Sequence, residues 1–292
     1  MMNCTEILMA KDKMEEECGV FGIYSKEVNE VAQITYYGLY ALQHRGQESA
    51  GISVSNFGEI VTYKGMGLTA DVFTPETLNN LVGNAAIGHV RYSTTGASKL
   101  ENAQPLESRY KLGQIAVAHN GNLTNAKIIR ELLEDAGSTF NTSIDSEVII
   151  KMIARKANGN VEDAIRSTVG AIKGAYALVI LAGNKLVGVR DPYGIRPLCL
   201  GINENGDYIL SSESCAIDAV GGTLIRDVLP GEMVIIDENG VKSVKYSENN
   251  KKAPCSFEHI YFARPDSVID GLNVYESRVE AGRLLAKQMK VE

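Results

Sequence analysis

The fold prediction starts from CGVFGIYS, at residues 18–25. Its apolar residues alternate, which predicts a β-strand. The segment before it, MMNCTEILMAKDKMEEE at residues 1–17, is polar and acidic. It lacks the apolar core and the small-residue cleavage site of a secretory signal. The sequence therefore changes character at Cys18, and we interpret residues 1–17 as a leader outside the folded chain.

The remainder of the chain contains runs of predicted strands and a separate block of predicted helices. Residues 50–55 and 59–64 predict a hairpin around the turn Asn56-Phe57-Gly58. Strands in hairpin-like runs, with helices in their own block, indicate an α+β fold rather than a regular βαβ alternation. The other predicted elements are helices at 29–43, 124–136, 144–156, 161–172 and 276–290, and strands at 85–92, 114–119, 175–182, 185–190, 197–201, 207–211, 232–237, 241–246 and 257–262.

The composition excludes several classes of protein. The chain has 292 residues, of which 45% are apolar and 22% charged, as in a globular protein with one large or two modest domains. A net charge of −7 without a basic run argues against a nucleic-acid partner. No stretch approaches the ~18 apolar residues that a membrane span needs. Five dispersed cysteines without a CxxC pair indicate a reducing compartment, and we expect a cytoplasmic protein.

Cys18 is the first candidate for chemistry. A cysteine that opens an apolar strand is commonly a small buried hydrophobe, and that interpretation stays open. If the leader is removed, however, Cys18 carries a thiol and a free α-amine, whose pKa in model compounds is about 7.7–8.0. One residue would then supply both the nucleophile and the general base. This agrees with the lack of an obvious Cys-His-Asp spacing in the sequence.

The tetrapeptide His119-Asn120-Gly121-Asn122 follows a predicted strand. Asn-Gly is a strong hairpin signal, so a tight turn is the simplest interpretation. The side-chain amide of Asn120 and the unhindered N–H of Gly121 are also two donors of the kind that forms an oxyanion hole. Loss of one such donor typically lowers a rate by ~10²–10³.

Arg91 and Asp145 are candidates for substrate binding. Arg91 stands at a predicted strand end in RYSTTG, where a surface charge is the alternative. Asp145, in TSIDSE, precedes a predicted helix, where an acid favoured by the helix dipole is the alternative. In a pocket, the guanidinium would bind a carboxylate bidentately and the aspartate would bind an ammonium group. Together they would define an α-amino acid, with its side-chain carbonyl directed at the nucleophile.

Longer motifs carry a family resemblance. Over residues 18–292 the chain resembles the glutamine phosphoribosylpyrophosphate amidotransferases. Three motifs are shared by glutaminase domains with an amino-terminal cysteine, namely CGVFGI at 18–23, GHVRYSTTG at 88–96 and AHNGNLTN at 118–125. The motifs that indicate this particular family are LQHRGQESAGI at 42–52, DPYGIRPL at 191–198 and FARPDS at 262–267.

The resemblance implies a fold and a domain organisation. The fold is a four-layer α/β/β/α sandwich of two stacked antiparallel sheets, the N-terminal-nucleophile glutaminase type. Residues 1–17 are then a propeptide, and residues 18–250 are a class II glutamine amidotransferase domain. Residues 251–292 are a connector and the start of a truncated phosphoribosyltransferase domain.

The resemblance also implies a catalytic set and a reaction. Cys18 is the nucleophile that propeptide removal exposes, and Asn120 with Gly121 forms the oxyanion hole. Glutamine is hydrolysed to glutamate and ammonia through a thioester, a step that requires no cofactor. In the whole enzyme of de novo purine biosynthesis, ammonia displaces pyrophosphate from phosphoribosylpyrophosphate at a second, Mg²⁺-assisted site. The product there is 5-phosphoribosylamine.

Substrate-binding residues and one metal ligand follow from the same resemblance. Arg91 and Thr94 hold the glutamine carboxylate, Asp145 holds its ammonium group, and Arg45 orders the loop near the nucleophile. Cys255 matches the first ligand of the iron–sulfur (4Fe–4S) cluster that some relatives carry. Such a cluster needs about four thiolates, so we expect it only in a full-length protein. A homo-oligomer is expected as well.

Two alternatives stay open at this point. The first is another class II glutamine amidotransferase, which shares the glutamine half-reaction and differs in the ammonia acceptor. The second is a non-catalytic regulatory module that keeps the fold without turnover. Retention of the leader would favour the second alternative, because a peptide-bonded nitrogen on Cys18 cannot act as a base.

Overall fold

The computed structural model describes residues 17–92, 97–249 and 251–289, so Thr94 and residues 1–16 of the leader lie outside the described residues. The strands, in chain order, are β1 (Gly19–Asn29), β2 (Ser49–Asn56), β3 (Glu59–Met66), β4 (Gly83–Arg91), β5 (Leu106–Tyr110), β6 (Gly113–Leu123), β7 (Gly174–Ala182), β8 (Leu186–Arg190), β9 (Cys199–Asn203), β10 (Tyr208–Ser211), β11 (Gly222–Asp227), β12 (Glu232–Asp237), β13 (Gly240–Lys245), β14 (Val268–Ile269) and β15 (Leu272–Asn273). The helices are α1 (Val31–Ala41), α2 (Thr69–Val72), α3 (Pro75–Asn80), α4 (Ala126–Asp135), α5 (Ser146–Lys156), α6 (Val161–Val169), α7 (Ser214–Ala219) and α8 (Val274–Gln288).

Two β-sheets form the centre of the fold. The first sheet has seven strands in the order β11-β9-β10-β1-β4-β2-β3, and the second has six in the order β13-β12-β8-β7-β6-β5. Paired strands run antiparallel in both sheets. A small hairpin of β14 and β15 follows near the end of the chain.

Helices cover the outer faces of the two sheets. On the first sheet, Leu39 of α1 and Ile217 of α7 share one apolar cluster with Phe21. On the second sheet, α4, α5 and α6 contribute to another cluster, with Ile149 and Ile165 at its centre. A third apolar cluster fills the space between the sheets. The prediction of a four-layer α/β/β/α sandwich is therefore confirmed.

Strand β1 shows how the sequence builds these layers. Val20 and Tyr24 belong to the apolar layer between the sheets, whereas Phe21 and Ile23 belong to the cluster under α1. Because successive side chains of a strand point to opposite faces, the alternation predicted for residues 18–25 fills both layers. Gly22 lies on the inner face, where a Cβ would come within 2.6 Å of the Val179 side chain in β7.

The sequence prediction was wrong for residues 257–262, which do not form a strand. Glu258–Phe262 is a single π-helical turn. The Arg278 guanidinium on α8 donates hydrogen bonds to the carbonyl oxygens of His259 and Ala263, at 2.9 and 2.7 Å. Arg278 thus pairs carbonyl groups that would be paired in a sheet if this segment were a strand. This distant contact outweighs the local apolar alternation that predicted a strand.

The predicted end of the strand at residue 119 was also wrong. β6 continues to Leu123, and Asn120 and Gly121 pair with Ala177 and Tyr176 of β7. The Asn-Gly pair is therefore not a turn. β5 and β11 had no counterpart in the sequence prediction, because the side chains of each are largely polar or half-exposed at a sheet edge.

The segment after residue 250 packs on the sandwich through polar contacts. Arg190, at the end of β8, binds both carboxylate oxygens of Asp270 at 2.8 and 2.9 Å. The Ser267 hydroxyl donates to the buried carboxylate of Glu213 at 2.7 Å. The domain boundary at residues 250 and 251 stays a prediction. Among the described helices, none is long and apolar enough to cross a membrane.

Candidate active site

Cys18 lies immediately before β1, at one end of the sandwich. Its thiol is buried and donates to the Tyr92 carbonyl oxygen at 3.4 Å, while the Tyr92 N–H donates back to Sγ at 3.5 Å. Burial raises the pKa of the Cys18 thiol to about 11. With Glu17 still attached, the thiol is therefore protonated at neutral pH and is a weak nucleophile.

Arg45 holds the backbone next to this thiol. Its Nε donates to the Cys18 carbonyl oxygen at 3.0 Å. Its other nitrogens pair with two buried carboxylates, Glu213 at 2.6 Å and Glu258 at 2.9 Å. Burial opposes these charges, but the Arg45 cation and the hydrogen bond with His44 outweigh it and hold the pKa of Glu213 well below its usual range. These contacts agree with the predicted role of Arg45 in ordering the loop near Cys18.

Arg91 ends β4 beside Cys18. Gly19 of β1 pairs with Val90 of β4 in antiparallel register. Cys18, which precedes Gly19, and Arg91, which follows Val90, therefore lie at the same end of this strand pair. The Arg91 side chain is buried, forms an ion pair with Glu48 and reaches the Ala97 carbonyl oxygen at 3.4 Å. The carboxylate-binding role of Arg91 stays a prediction, and that of Thr94 falls outside the described residues.

Asn120 is the most informative residue of the site. It is fully buried in β6, yet its Nδ2 and Oδ1 atoms have no hydrogen-bond partner among the described residues. Buried amides are nearly always paired, so an unpaired one indicates a ligand or a catalytic role. Gly121 follows with φ +140°, and a Cβ there would lie 2.1 Å from the Ala175 carbonyl oxygen, so only glycine fits. Both features agree with the predicted oxyanion hole.

Asp145 is the residue that precedes α5. One of its carboxylate oxygens accepts the Leu123 N–H at 2.7 Å, which ties the helix start to the end of β6. The other oxygen lies 3.4 Å from the Ser146 hydroxyl and 3.8 Å from Nδ1 of His119. The predicted ammonium-binding carboxylate thus stands next to the strand that carries Asn120.

Two buried histidines, His89 and His119, lie at this end of the sandwich, and neither was predicted as a site residue. Nε2 of His89, on β4, contacts the His119 carbonyl oxygen on β6 at 3.0 Å. His119 Nδ1 contacts the Ser146 hydroxyl at 2.9 Å. Burial lowers the pKa of both residues, to about 3 for His89. The sequence signal that could have indicated them is their position in the quoted motifs. His89 stands two residues before Arg91, and His119 stands one residue before Asn120.

The residues gather here because the strands keep a period of two. The inner-face series of β1 starts at Val20, two residues after Cys18, and the series of β6 runs through Ala118 to Asn120. The apolar layer between the sheets thus ends in polar side chains at one end. Direct contacts join Cys18 to Arg45 and to the backbone after Arg91, and the two histidines link β4 to the region of Asn120.

Cys255 does not take part in this cluster. It is half-buried in the segment after residue 250, and its N–H donates to the Ile195 carbonyl oxygen at 3.3 Å. Within the described ranges, no group of three or more His, Cys, Asp or Glu side chains could hold a metal ion. A cluster on Cys255 would therefore need thiolates from outside these ranges.

Comparison with known proteins defines the class. The profile of the glutamine amidotransferase domain family matches residues 89–219, which contain the Arg91, Asn120 and Asp145 positions. A glutamine aminotransferase class-II domain protein from Silicibacter pomeroyi aligns over 78% of this chain and 99% of its own, with a TM-score of 0.54 and 12% identity, and agrees in fold alone. The fold is that of the amino-terminal-nucleophile glutamine amidotransferases.

Closer relatives define the family. Amidophosphoribosyltransferase from Bacillus subtilis is 46% identical over 96% of this chain and 58% of its own length. The chloroplastic amidophosphoribosyltransferase 1 from Arabidopsis thaliana is 47% identical over 96% of this chain and 50% of its own. The solved structure of the B. subtilis enzyme with ADP and GMP aligns over 94% of this chain and 59% of that one, with a TM-score of 0.88. The chain belongs to the amidophosphoribosyltransferase family and spans about half to three fifths of these relatives' length.

Proposed function

We propose that this chain hydrolyses glutamine to glutamate and ammonia through a thioester on Cys18. The observation that carries the proposal is Asn120, whose amide is fully buried without a partner among the described residues. A donor left unpaired in a low-dielectric site costs stability, and it serves a reaction in which negative charge develops on an oxygen nearby. Gly121, restricted to glycine by its neighbours, would supply a second donor from the backbone.

The reaction begins once Cys18 has a free α-amine. The amine takes the thiol proton, and the thiolate attacks the carboxamide carbon of glutamine. Asn120 and Gly121 stabilise the oxyanion, the C–N bond breaks, and the protonated amine gives its proton to the departing ammonia. Water then adds to the thioester with the amine as base, the C–S bond breaks, and glutamate leaves. One glutamine and one water become one glutamate and one ammonia.

The neighbouring charges suit an α-amino acid. Arg91 would hold the glutamine carboxylate as a planar fork, and Asp145 would pair with the α-ammonium group. Each is already fixed by a protein contact, Arg91 by Glu48 and Asp145 by the Leu123 N–H. Such fixed groups lose little entropy when the substrate binds, so the carboxamide can be aligned with Cys18.

Removal of residues 1–17 is part of the proposal. While Glu17 is attached, the nitrogen of Cys18 is an amide without basicity, and burial holds the pKa of the thiol at about 11. The base that would generate the thiolate for an attack on glutamine is then missing. This state corresponds to an inactive precursor. A chain that kept its leader would be the non-catalytic module of the second alternative.

We further propose, from the names of the relatives, that a full-length protein transfers the ammonia to phosphoribosylpyrophosphate and makes 5-phosphoribosylamine for purine biosynthesis. Mg²⁺ at that second site, a homo-oligomer and a cytoplasmic location belong to this wider proposal. An iron–sulfur cluster with Cys255 as one ligand is a further part of it. Iron analysis of the full-length protein and its Cys255→Ala variant would test the cluster.

The test of the glutamine reaction is labelling with a diazoketone analogue of glutamine, which alkylates activated cysteines. We expect a chain without residues 1–17 that carries one adduct, and no adduct in Cys18→Ala. Cys255→Ala is the matched control, because its thiol is half-buried and outside the site, and it should label like the parent. A processed chain that neither takes the label nor turns over glutamine would contradict the proposal.

A further inference from the structure

We propose that Arg196 is a positioning residue for removal of the leader, and that it acts by holding the side chain of Glu17, the last leader residue. The inference rests on the proposed function, because it presupposes that the Glu17–Cys18 peptide bond is cut. It assigns a task to an arginine that the glutamine reaction does not use.

The contact between the two side chains is short and shielded. Nη2 of Arg196 lies 2.6 Å from Oε1 of Glu17, and the side chains are only 12% and 15% exposed. An ion pair at the surface would contribute little, but a charge-assisted hydrogen bond away from water fixes both partners in one geometry. Burial raises the pKa of the Glu17 carboxyl and Arg196 opposes that effect, so the arginine favours the charged form.

Arg196 is itself held rigidly. Its N–H donates to the buried carboxylate of Asp191 at 3.1 Å, and its carbonyl oxygen accepts from Nε of Arg190 at 2.9 Å. Its Nε and Nη1 have no hydrogen-bond partner in the described part of the chain, and Nη1 is 3.9 Å from Glu258. Within these ranges, the one short ion pair of this guanidinium is therefore with Glu17 of the leader.

A second arginine holds the other side of the same peptide bond. Nε of Arg45 donates to the Cys18 carbonyl oxygen at 3.0 Å, and the Cys18 thiol contacts the Tyr92 carbonyl oxygen at 3.4 Å. The residue before the bond is thus fixed through its side chain and the residue after it through its carbonyl group. Restricting both neighbours limits the rotations available to the bond between them, which favours a reactive arrangement.

The cleavage itself needs only Cys18 and water. The Cys18 thiol attacks the carbonyl carbon of Glu17, its proton passes to the amide nitrogen, and the C–N bond breaks to leave a thioester and a free amine. Water then hydrolyses the thioester, which releases the leader with a carboxyl group on Glu17 and restores the thiol. One peptide bond is cut for one water consumed, and Arg196 loses its partner in the product.

The experiment compares leader removal and glutamine turnover separately, in the protein at its natural full length. Leader removal is followed by intact mass over time in the parent, Glu17→Gln, Arg196→Gln and Arg196→Lys. We expect the two glutamine variants to be processed about tenfold more slowly and Arg196→Lys to fall between them and the parent. Arg166→Gln, which breaks an exposed ion pair with Asp163, is the matched control and should be processed at the parental rate.

A second set of chains starts at Met-Cys18, so that removal of the initiator methionine exposes Cys18 without the leader. In this set, Arg196→Gln should hydrolyse glutamine within about twofold of its parent, because its partner Glu17 is absent. Parental processing rates in Glu17→Gln and Arg196→Gln would overturn the inference, as would an Arg196→Gln defect of equal size in the leaderless chain. If the leaderless parent is inactive on glutamine, the proposed function fails instead.

Discussion

Ile87 and His89 stand two residues apart on β4, on the same face and equally buried, and they belong to different environments. Ile87 lies in the apolar layer between the sheets. His89 lies at the end of that layer, contacts the backbone of β6, and has an Nδ1 atom without a partner among the described residues. Within about 7 Å along one strand, the interior changes from an apolar core to a polar site.

The difference shows that the two parts of the interior serve different purposes. The centre contains close-packed aliphatic side chains, whose burial stabilises the fold. The end near Cys18 contains buried charges and polar groups that have no partner among the described residues, and each of these costs free energy. A protein keeps such groups where chemistry requires them, so we expect mutations in the centre to change stability and mutations at the end to separate stability from activity.

The largest effect should come from Cys18→Ala at the polar end. Glutamine turnover should fall to background, because the substitution removes the thiol that forms the proposed thioester. The free energy of unfolding should change by no more than about 1 kcal/mol, since the side chain is small. Steady-state kinetics and urea denaturation measure the two quantities. The control is Cys199→Ala, in the core under α7, which should keep its glutamine turnover. Residual thioester formation in Cys18→Ala would contradict the assignment of Cys18 as the nucleophile.

Arg45→Met should give the largest loss of stability at the polar end. It removes the partner of two buried carboxylates, Glu213 and Glu258, and should lower the free energy of unfolding by about 3–5 kcal/mol. The control is Arg166→Met, which breaks an exposed pair and should cost less than about 1 kcal/mol. Equal effects of the two variants in urea denaturation would show that the Arg45 network is not stabilising.

Asn120→Ala should separate activity from stability most clearly. The rate constant for glutamine hydrolysis should fall about 10²–10³-fold through loss of an oxyanion donor. Stability should stay the same or increase, because a buried unpaired amide is removed. Asn122→Ala, an exposed residue on the same strand, should leave both quantities unchanged. A destabilised Asn120→Ala with normal turnover would mean that the amide is structural.

His89 should make stability depend on pH. Its pKa is about 3 in the folded protein and about 6.5 when unfolded, so the unfolded state binds more protons below pH 6.5. The contribution is complete well above pH 6.5 and is lost as pH falls towards 3, by about 1.6 kcal/mol between pH 6.5 and 5. In His89→Gln, urea denaturation across this range should show a slope smaller by about one proton. An unchanged slope would contradict the buried neutral state.

The smallest effect should come from Ile87→Val, in the apolar centre. It should lower the free energy of unfolding by about 0.5–1.5 kcal/mol through a lost methylene, with unchanged kcat and KM for glutamine. Because Ile87 lies two residues from His89, the variants at these two positions compare the apolar centre with the polar end on a single strand. A tenfold loss of turnover would show that packing in the centre controls the geometry of the site.

Local sequence patterns predicted those parts of the molecule that depend on near neighbours. The alternation in CGVFGIYS predicted β1 and its two faces, and the apolar period before Gly137 predicted α4, which ends at Asp135. The residue types of Asn120 and Gly121 alone suggest a donor pair, and that role stays a prediction. The resemblance then supplied the stacking of the sheets.

The features that the sequence did not reveal depend on partners far along the chain. β6 continues through Gly121 because β7 offers it backbone partners more than fifty residues later. The turn at Glu258–Phe262 depends on Arg278 and on the pairing of Glu258 with Arg45, which is 213 residues away. The bridge from His89 to the backbone of β6 needs both sheets in place. No local window contains these contacts.

The burial of Asn120 in a paired strand also affects how the protein ages. In an Asn-Gly pair, the glycine nitrogen can attack the side-chain carbonyl carbon and form a succinimide with release of ammonia, which is the first step of deamidation. In the folded chain, the backbone of Gly121 is held in the ladder with Tyr176, and the ring cannot close without leaving it. We therefore expect deamidation to be faster in unfolded molecules, where it would place a negative charge at the proposed oxyanion site. Each unfolding event therefore exposes the chain to chemical damage that refolding cannot repair.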